Sequence, residues 1–256
     1  MLDHLPPIRG LSFVEDGHRY TWQSSRYGLL EPPSVSKVLE GTGAKCMNWA
    51  GWRNSLVRKG MTVEQAEAHM EEHRQRRATV GSLAHGLIAL RLGNLQGEPL
   101  EDDPTEEARI FWTWAREFLP LIESTRLIEQ PLIHRGGFYV GTPDLLATIN
   151  GMLTVVDWKT AQPKKERIRL EWRLQLAAYA AMIESCYGIK PEQGMNVVIS
   201  EDRCMVKTWN AADLDLGWRQ FAGFLLEYHA AMTAQGSEIH RIAWRNLLPL
   251  FDMSGV

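Results

Sequence analysis

Two aspartates and a lysine, Asp144, Asp157 and Lys159, flank an Asn-Gly pair whose position would bring them together. Asn150-Gly151 is the strongest short hairpin signal in the chain, because both residues tolerate the positive φ angles of a two-residue turn. With those two as the loop, residues paired across the hairpin have numbers summing to 301, so Asp144 faces Asp157. Opposed Cβ atoms on one sheet face lie about 4.5–5.5 Å apart, and like charges there repel. A divalent cation between the carboxylates is the economical compensation: hard ions such as Mg2+ take oxygen ligands, commonly one or two carboxylates plus a substrate phosphate. Period-two alternation puts Leu153, Val155, Asp157 and Lys159 on one face and Thr154, Val156 and Trp158 on the other. An ammonium at Lys159 would orient or help deprotonate an attacking water and counter charge developing on phosphorus, while the metal polarises the phosphate. Trp158 would lend its backbone carbonyl as a further oxygen ligand. The bland alternative is that Asp144 caps a turn and Asp157 pairs with Lys159 on the surface, since Asp-x-Lys is common. Rarer is the conjunction of an apolar strand running into D-x-K, a second Asp in register, and a helix with Gln175 and Tyr179 one turn apart.

The elements that must position these groups alternate between the two periodicities. Residues 11–22 read as a hairpin turning at Asp16-Gly17, and Ser34 or Ser36 is placed to cap a helix ending near Gly41. Residues 45–79 read as helical and carry Trp49, Trp52, Arg53, Arg58, Lys59, Arg74, Arg76 and Arg77 among glutamates. A helix over about 79–92 stops at Gly93, and it holds His85 with Gly81 one turn before it on the same face, where a missing side chain admits a close neighbour. Asp103, Pro104 and Glu106 form a helix start, after which Ala108, Phe111, Ala115, Phe118 and Ile122 make one apolar stripe. Residues 131–160 read as two strands around Asn150-Gly151. A long helix covers about 166–187 before Gly188 and Pro191, NVVIS and CMVKTW form a strand pair, and a helix capped by Asn210 runs to about Gln235. The last twenty residues carry no usable signal. This order predicts an α/β fold: a small mixed sheet flanked by helices, in one domain spanning 1–256 with 45–79 as a helical lid or arch.

The chain resembles the PD-(D/E)XK nuclease superfamily, in particular its RecB-type branch. The likeness rests on G-T-P-D (Gly141 to Asp144), V-V-D-W-K-T (Val155 to Thr160) and Q-L-A-A-Y (Gln175 to Tyr179), the last similar to that branch's Q-x-x-x-Y motif. Upstream, G-S-L-A-H (Gly81 to His85) resembles the helix whose histidine joins the metal site in such nucleases. H-R-Y (His18 to Tyr20) followed by P-S-V-S (Pro33 to Ser36) is similar to the amino-terminal region of phage-type and mitochondrial single-strand exonucleases. The resemblance implies a restriction-endonuclease-like core with a helical N-terminal insertion. It implies Asp144 and Asp157 as metal ligands, His85 as a further ligand, Lys159 as the catalytic lysine, and Gln175 and Tyr179 lining the site. Glu129 sits where members often carry an acid. The implied activity is Mg2+- or Mn2+-dependent hydrolysis of DNA, more as an exonuclease on single-stranded or frayed ends than as a sequence-specific endonuclease, in recombination, repair or end processing. The implied partners are DNA and a recombination or replication protein. A non-catalytic binding module on this fold and a structure-selective endonuclease are the alternatives.

Composition bounds these readings. The 256 residues are 45% hydrophobic and 23% charged, with formal net charge −3, so no global positive charge draws the chain to nucleic acid or anionic lipid. From Asp157 to Arg173, however, six bases stand against three acids, while nine of the carboxylates lie between Glu98 and Glu129. Three scattered cysteines, Cys46, Cys186 and Cys204, suggest no disulfide framework and cannot supply the four ligands of an iron–sulfur cluster. No signal pattern, membrane span, phosphate-cradling loop or dinucleotide fingerprint is present in the sequence, so a cytoplasmic protein without a motor of its own is expected.

Overall fold

The computed structural model describes residues 4–14, 19–45, 48–161 and 168–251. An antiparallel three-stranded sheet (β1 Leu11–Val14, β2 Arg19–Ser24, β3 Gly28–Leu30) precedes four helices, α1 Val35–Gly41, α2 Trp49–Arg58, α3 Val63–Leu92 and α4 Glu106–Glu117. There follow β4 Ile122–Ile128, a short hairpin of β5 Leu132–His134 and β6 Tyr139–Gly141, then β7 Leu145–Ile149, β8 Met152–Thr160 and helix α5 Leu170–Tyr187. Strands β9 Gln193–Ile199 and β10 Cys204–Asn210 and helices α6 Ala211–Ala234 and α7 Glu238–Leu247 complete the order. Among the described residues no helix is long and apolar enough to cross a membrane.

The central sheet runs β10-β9-β8-β7-β4 and is antiparallel except where β8 and β9 pair in parallel, the crossover being α5. The β7–β8 hairpin has the expected register, Ile149 with Met152 and Leu146 with Val155, and Asn150 (φ 51°) and Gly151 (φ 73°) both take the positive angles of its turn. Alternation along β8 divides the core. Val155 packs with Leu174, Ala177 and Ala178 of α5, while Val156 and Trp158 meet Ala84 and Ile88 of α3, Phe111 and Trp114 of α4, and Phe118 just after α4. The Trp158 ring is met edge-on by Trp114 and Phe118, at centroid distances of 6.0 and 5.2 Å. Helices therefore cover both sheet faces, as a restriction-endonuclease-like α/β core requires.

The structure differs from the sequence reading at several places. Residues 63–92 form one helix through Gly81 and Gly86, with a capping box from Thr62 and Gln65, because α3 lies on the sheet, where packing outweighs the two glycines' poor propensity. The cap of α4 is Thr105, whose hydroxyl accepts from the Ala108 N–H, while Asp103 accepts from the Thr105 N–H. Residues 131–144 are not part of one long strand: β5 and β6 form their own hairpin, whose turn is held by the Gly137 N–H donating to His134 Nδ1 at 2.8 Å. Ser34 caps α1, Asn210 caps α6, and the C-terminal segment folds as α7. The Asp16-Gly17 turn, Cys46 and the bases Lys164, Lys165 and Arg167 lie outside the described residues.

Candidate active site

The end of β8 beyond the reach of its turn is where polar side chains replace the apolar alternation. Asp157 is buried, and two donor groups make three contacts with its carboxylate. Lys159 Nζ lies 2.9 Å from Oδ1 and 2.8 Å from Oδ2, and Asn196 Nδ2 donates to Oδ2 at 3.0 Å. The parallel ladder sets Asn196 beside Asp157, and Trp209 Nε1 donates to Asn196 Oδ1 at 2.9 Å, fixing which way that amide faces. On the other side Lys159 Nζ donates to Gln175 Oε1 at 3.0 Å, and Gln175 Nε2 donates to the Tyr179 hydroxyl at 2.7 Å. A continuous chain of hydrogen bonds thus runs from Trp209 on the outer strand to Tyr179 on α5.

Asp144, one residue before β7, turns Oδ2 to the Trp158 N–H at 2.6 Å and Oδ1 toward His85 Nδ1 at 3.6 Å. Glu129 approaches the same nitrogen at 3.5 Å. It follows directly on β4 with φ 43°, a left-handed angle unusual outside glycine, and its N–H donates to the Asp144 carbonyl at 3.0 Å. Glu129 Oε1 is buried without a hydrogen bond. His85, Glu129 and Asp144 place one ligand atom each within 4.8 Å of one another, the donor set of a hard or borderline divalent cation. Asp157 lies outside this closest group and adjoins it.

The electrostatics follow from packing carboxylates together. Burial and the neighbouring Asp144 push the Glu129 carboxyl upward. Burial raises Asp157 too, against the pull of Lys159. Burial alone would lower His85, but the Asp144 and Glu129 carboxylates outweigh it and bring it up to about 10. Lys159 and His85 are the basic side chains that face these carboxylates. A bound cation is the alternative counter-charge.

These groups line an open cleft of about 540 Å3, to which Tyr20, Ser34 and Ser36 also contribute. Two glycines shape it. A Cβ at Gly141 would stand 2.7 Å from Tyr179 Cε1, so only glycine lets that ring close on the site, and a Cβ at Gly81 would come within 3.3 Å of Thr160 Oγ1. Six of the sequence-derived candidates converge here: His85, Asp144, Asp157, Lys159, Gln175 and Tyr179 line the cleft, whereas Trp158 has its indole in the core and meets the site through its N–H on Asp144 rather than through its carbonyl. Glu129 is more central than its sequence position suggested. Asn196 and Trp209 were missed, although a polar residue heading the apolar run NVVIS is a signal that a buried partner awaits it.

No curated protein matches the chain. The solved structure described as "Crystal structure of SSO0001" is 18% identical with a TM-score of 0.28, covering 71% of this chain and 80% of that one. A model of the PD-(D/E)XK nuclease superfamily matches residues 57–214. That stretch is well over half of the chain and contains every polar group of the cleft from His85 to Trp209, so the chain belongs to the PD-(D/E)XK nuclease superfamily.

Proposed function

We propose that the protein is a Mg2+- or Mn2+-dependent deoxyribonuclease, acting as an exonuclease on single-stranded or frayed ends in recombination, repair or end processing. The observation that carries the catalytic reading is the meeting of the Asp157–Lys159 pair with Asp144, His85 and Glu129 in one cleft. His85, Glu129, Asp144 and Asp157 form the set that would hold a divalent metal, and the buried, unbonded Oε1 of Glu129 fits such a ligand. When bound, the metal supplies Lewis-acid polarisation of a phosphate and a water of lowered pKa. Lys159 holds its ammonium between Asp157 and Gln175, positioned to orient a water and to balance charge on the phosphate oxygens. Gln175 fixes that ammonium, and Tyr179 fixes Gln175 while offering an edge to the substrate strand.

Support for a strand-guiding lid comes from α2 and the first half of α3. They share a small cluster of their own, Leu56, Ala66 and Met70 with Trp52, apart from the two main cores. Trp49 is exposed and stacks on Trp52 with ring centroids 5.9 Å apart, a platform of the kind on which bases stack. Charge contributes less than the sequence implied, because Arg53, Arg74, Arg76 and Arg77 are paired with Glu67, Glu71 and Glu106. The remaining bases there are Arg58 and Lys59.

The deciding experiment uses labelled DNA with Mg2+ or Mn2+. Cleavage is expected from the wild type and absent from Asp157→Ala and Lys159→Ala; full activity in both variants sinks the assignment. Free-ended single strands should be degraded faster than circles, and rapid cutting of circles would make the enzyme an endonuclease. An absence of carboxylate-dependent metal binding by calorimetry would leave a non-catalytic module.

A further inference from the structure

A second cleft, larger than the first at about 720 Å3, opens between the three-stranded sheet, the β5–β6 turn and α7. Arg9, Arg26 and Arg135 stand around it, all exposed, and no Asp or Glu is among the described residues that line it. None of the three makes an ion pair among the described residues, whereas Arg19, Arg53, Arg74, Arg77 and Arg91 each pair with a glutamate. Trp22, Phe138 and Ile242 give the cleft an apolar part to its lining, beside the uncharged polar Gln23 and Asn246, and the Arg26 guanidinium lies 5.1 Å from the centre of the Tyr27 ring. Three like charges around one opening repel each other, and an anion between them removes that cost.

The chemistry narrows the anion. Guanidinium forks match phosphate oxygens, and an apolar stretch of lining with aromatic edges suits a base, so the complement is a nucleotide unit rather than a bare ion. Location ties the cleft to the active site. Both lie along the same sheet: Phe13 and Tyr20 line the active-site cleft, and Trp22, two residues further along β2, lines this one. The β5–β6 hairpin spans the same interval, with Gly141 at the catalytic end and Phe138 at the arginine end. The two residues of extended strand from Tyr20 to Trp22 cover about 7 Å. Stacked nucleotides are spaced about 3.4 Å apart along a strand, so roughly two of them bridge the gap.

We propose that the arginine cleft is a strand-holding subsite, binding a phosphate and base of the substrate strand a few nucleotides from the bond to be cut. The proposal rests on the nuclease reading above for the identity of the strand, while its binding prediction needs no metal. The test measures fluorescence anisotropy of single-stranded DNA of twelve and of three nucleotides in EDTA, using the full chain and an Arg26→Gln/Arg135→Gln variant, followed by cleavage kinetics in Mn2+. Expected are about tenfold weaker binding of the longer strand with a shallower salt dependence, a raised KM at unchanged kcat, and wild-type handling of the trinucleotide. The Arg26→Lys/Arg135→Lys variant should recover part of the loss, which separates charge from folding. Unchanged binding and KM in a variant with wild-type Tm overturn the subsite, as does tighter capture of a free deoxynucleoside monophosphate than of the strand. Arginine-dependent binding by a wild type that cleaves no DNA upholds the subsite and overturns the hydrolytic reading instead.

Discussion

Strand β8 presents two buried faces that have solved the same problem in opposite ways. Toward α3 and α4, Val156 and Trp158 are dry and need only complementary shape. Toward α5, the buried Asp157 and the part-exposed Lys159 persist because Asn196 and Gln175 complete their hydrogen bonds. The contrast teaches that one strand can carry a dry stability face and a polar chemistry face that opens on a cleft, provided the polar face brings its own partners. Substitutions on the two faces should therefore separate activity from stability.

The largest separation is expected at Asp157→Asn. Activity on DNA should fall on the order of a thousandfold or more, because a ligand and a partner of Lys159 is lost. Unfolding in urea should shift by about 1 kcal/mol or less, since burial already favours the uncharged form of that carboxyl. Equal losses of activity and stability would erase the distinction between the faces. Trp158→Ala should do the reverse, costing about 3–5 kcal/mol of stability by urea titration while whatever protein stays folded keeps its metal affinity. Asn196→Leu sharpens the comparison: with Asp157 left short of a donor, metal affinity measured by calorimetry should weaken about 10- to 100-fold. Trp209→Phe should follow in the same direction and less, because Asn196 loses only its guide.

A smaller effect tests whether acid sensitivity belongs to the site at all. His229 is buried between α6 and the β5–β6 turn. Its Nε2–H must donate to the Gly137 carbonyl at 2.8 Å, which leaves its Nδ1 to accept from His240 Nδ1–H at 2.6 Å. Burial holds its pKa down at about 4, against 6.5 when unfolded. The unfolded chain therefore binds the extra proton first, and the associated stability is present above pH 6.5 and lost as pH falls toward 4. The expected loss is about 2 kcal/mol between pH 7 and pH 4.5. His229→Gln should flatten that slope in denaturant titrations, and an unaltered slope would assign acid sensitivity to other groups.

Much of this arrangement is legible in the sequence, for physical reasons that also mark where legibility stops. Asn150-Gly151 fixes a turn, the turn fixes a register, and the register with period two assigns Asp157, Lys159 and Trp158 to their faces. All of that is local. Asn196 is not legible in this way, because its role arises from a parallel pairing made across the whole of α5. The aim of Glu129 depends on a left-handed backbone angle that no residue type there announces. Helix α3 crosses Gly81 and Gly86 because tertiary packing outweighs propensity, and α7 escapes notice because Ser237 makes no side-chain capping bond.

The closest ligand group draws His85 from a helix, Glu129 from the end of one strand and Asp144 from the start of another. An ion gripping all three would be a cross-link between segments far apart in the chain, and the unfolded protein offers no such grip. The melting temperature is thus a binding assay that needs no substrate. At a hundred times Kd an ion adds about 2.7 kcal/mol, which in a chain of this size raises Tm by roughly 5–10 °C. Chelation should return the curve to its starting point, and Glu129→Gln should blunt the response even if residual cleavage survives.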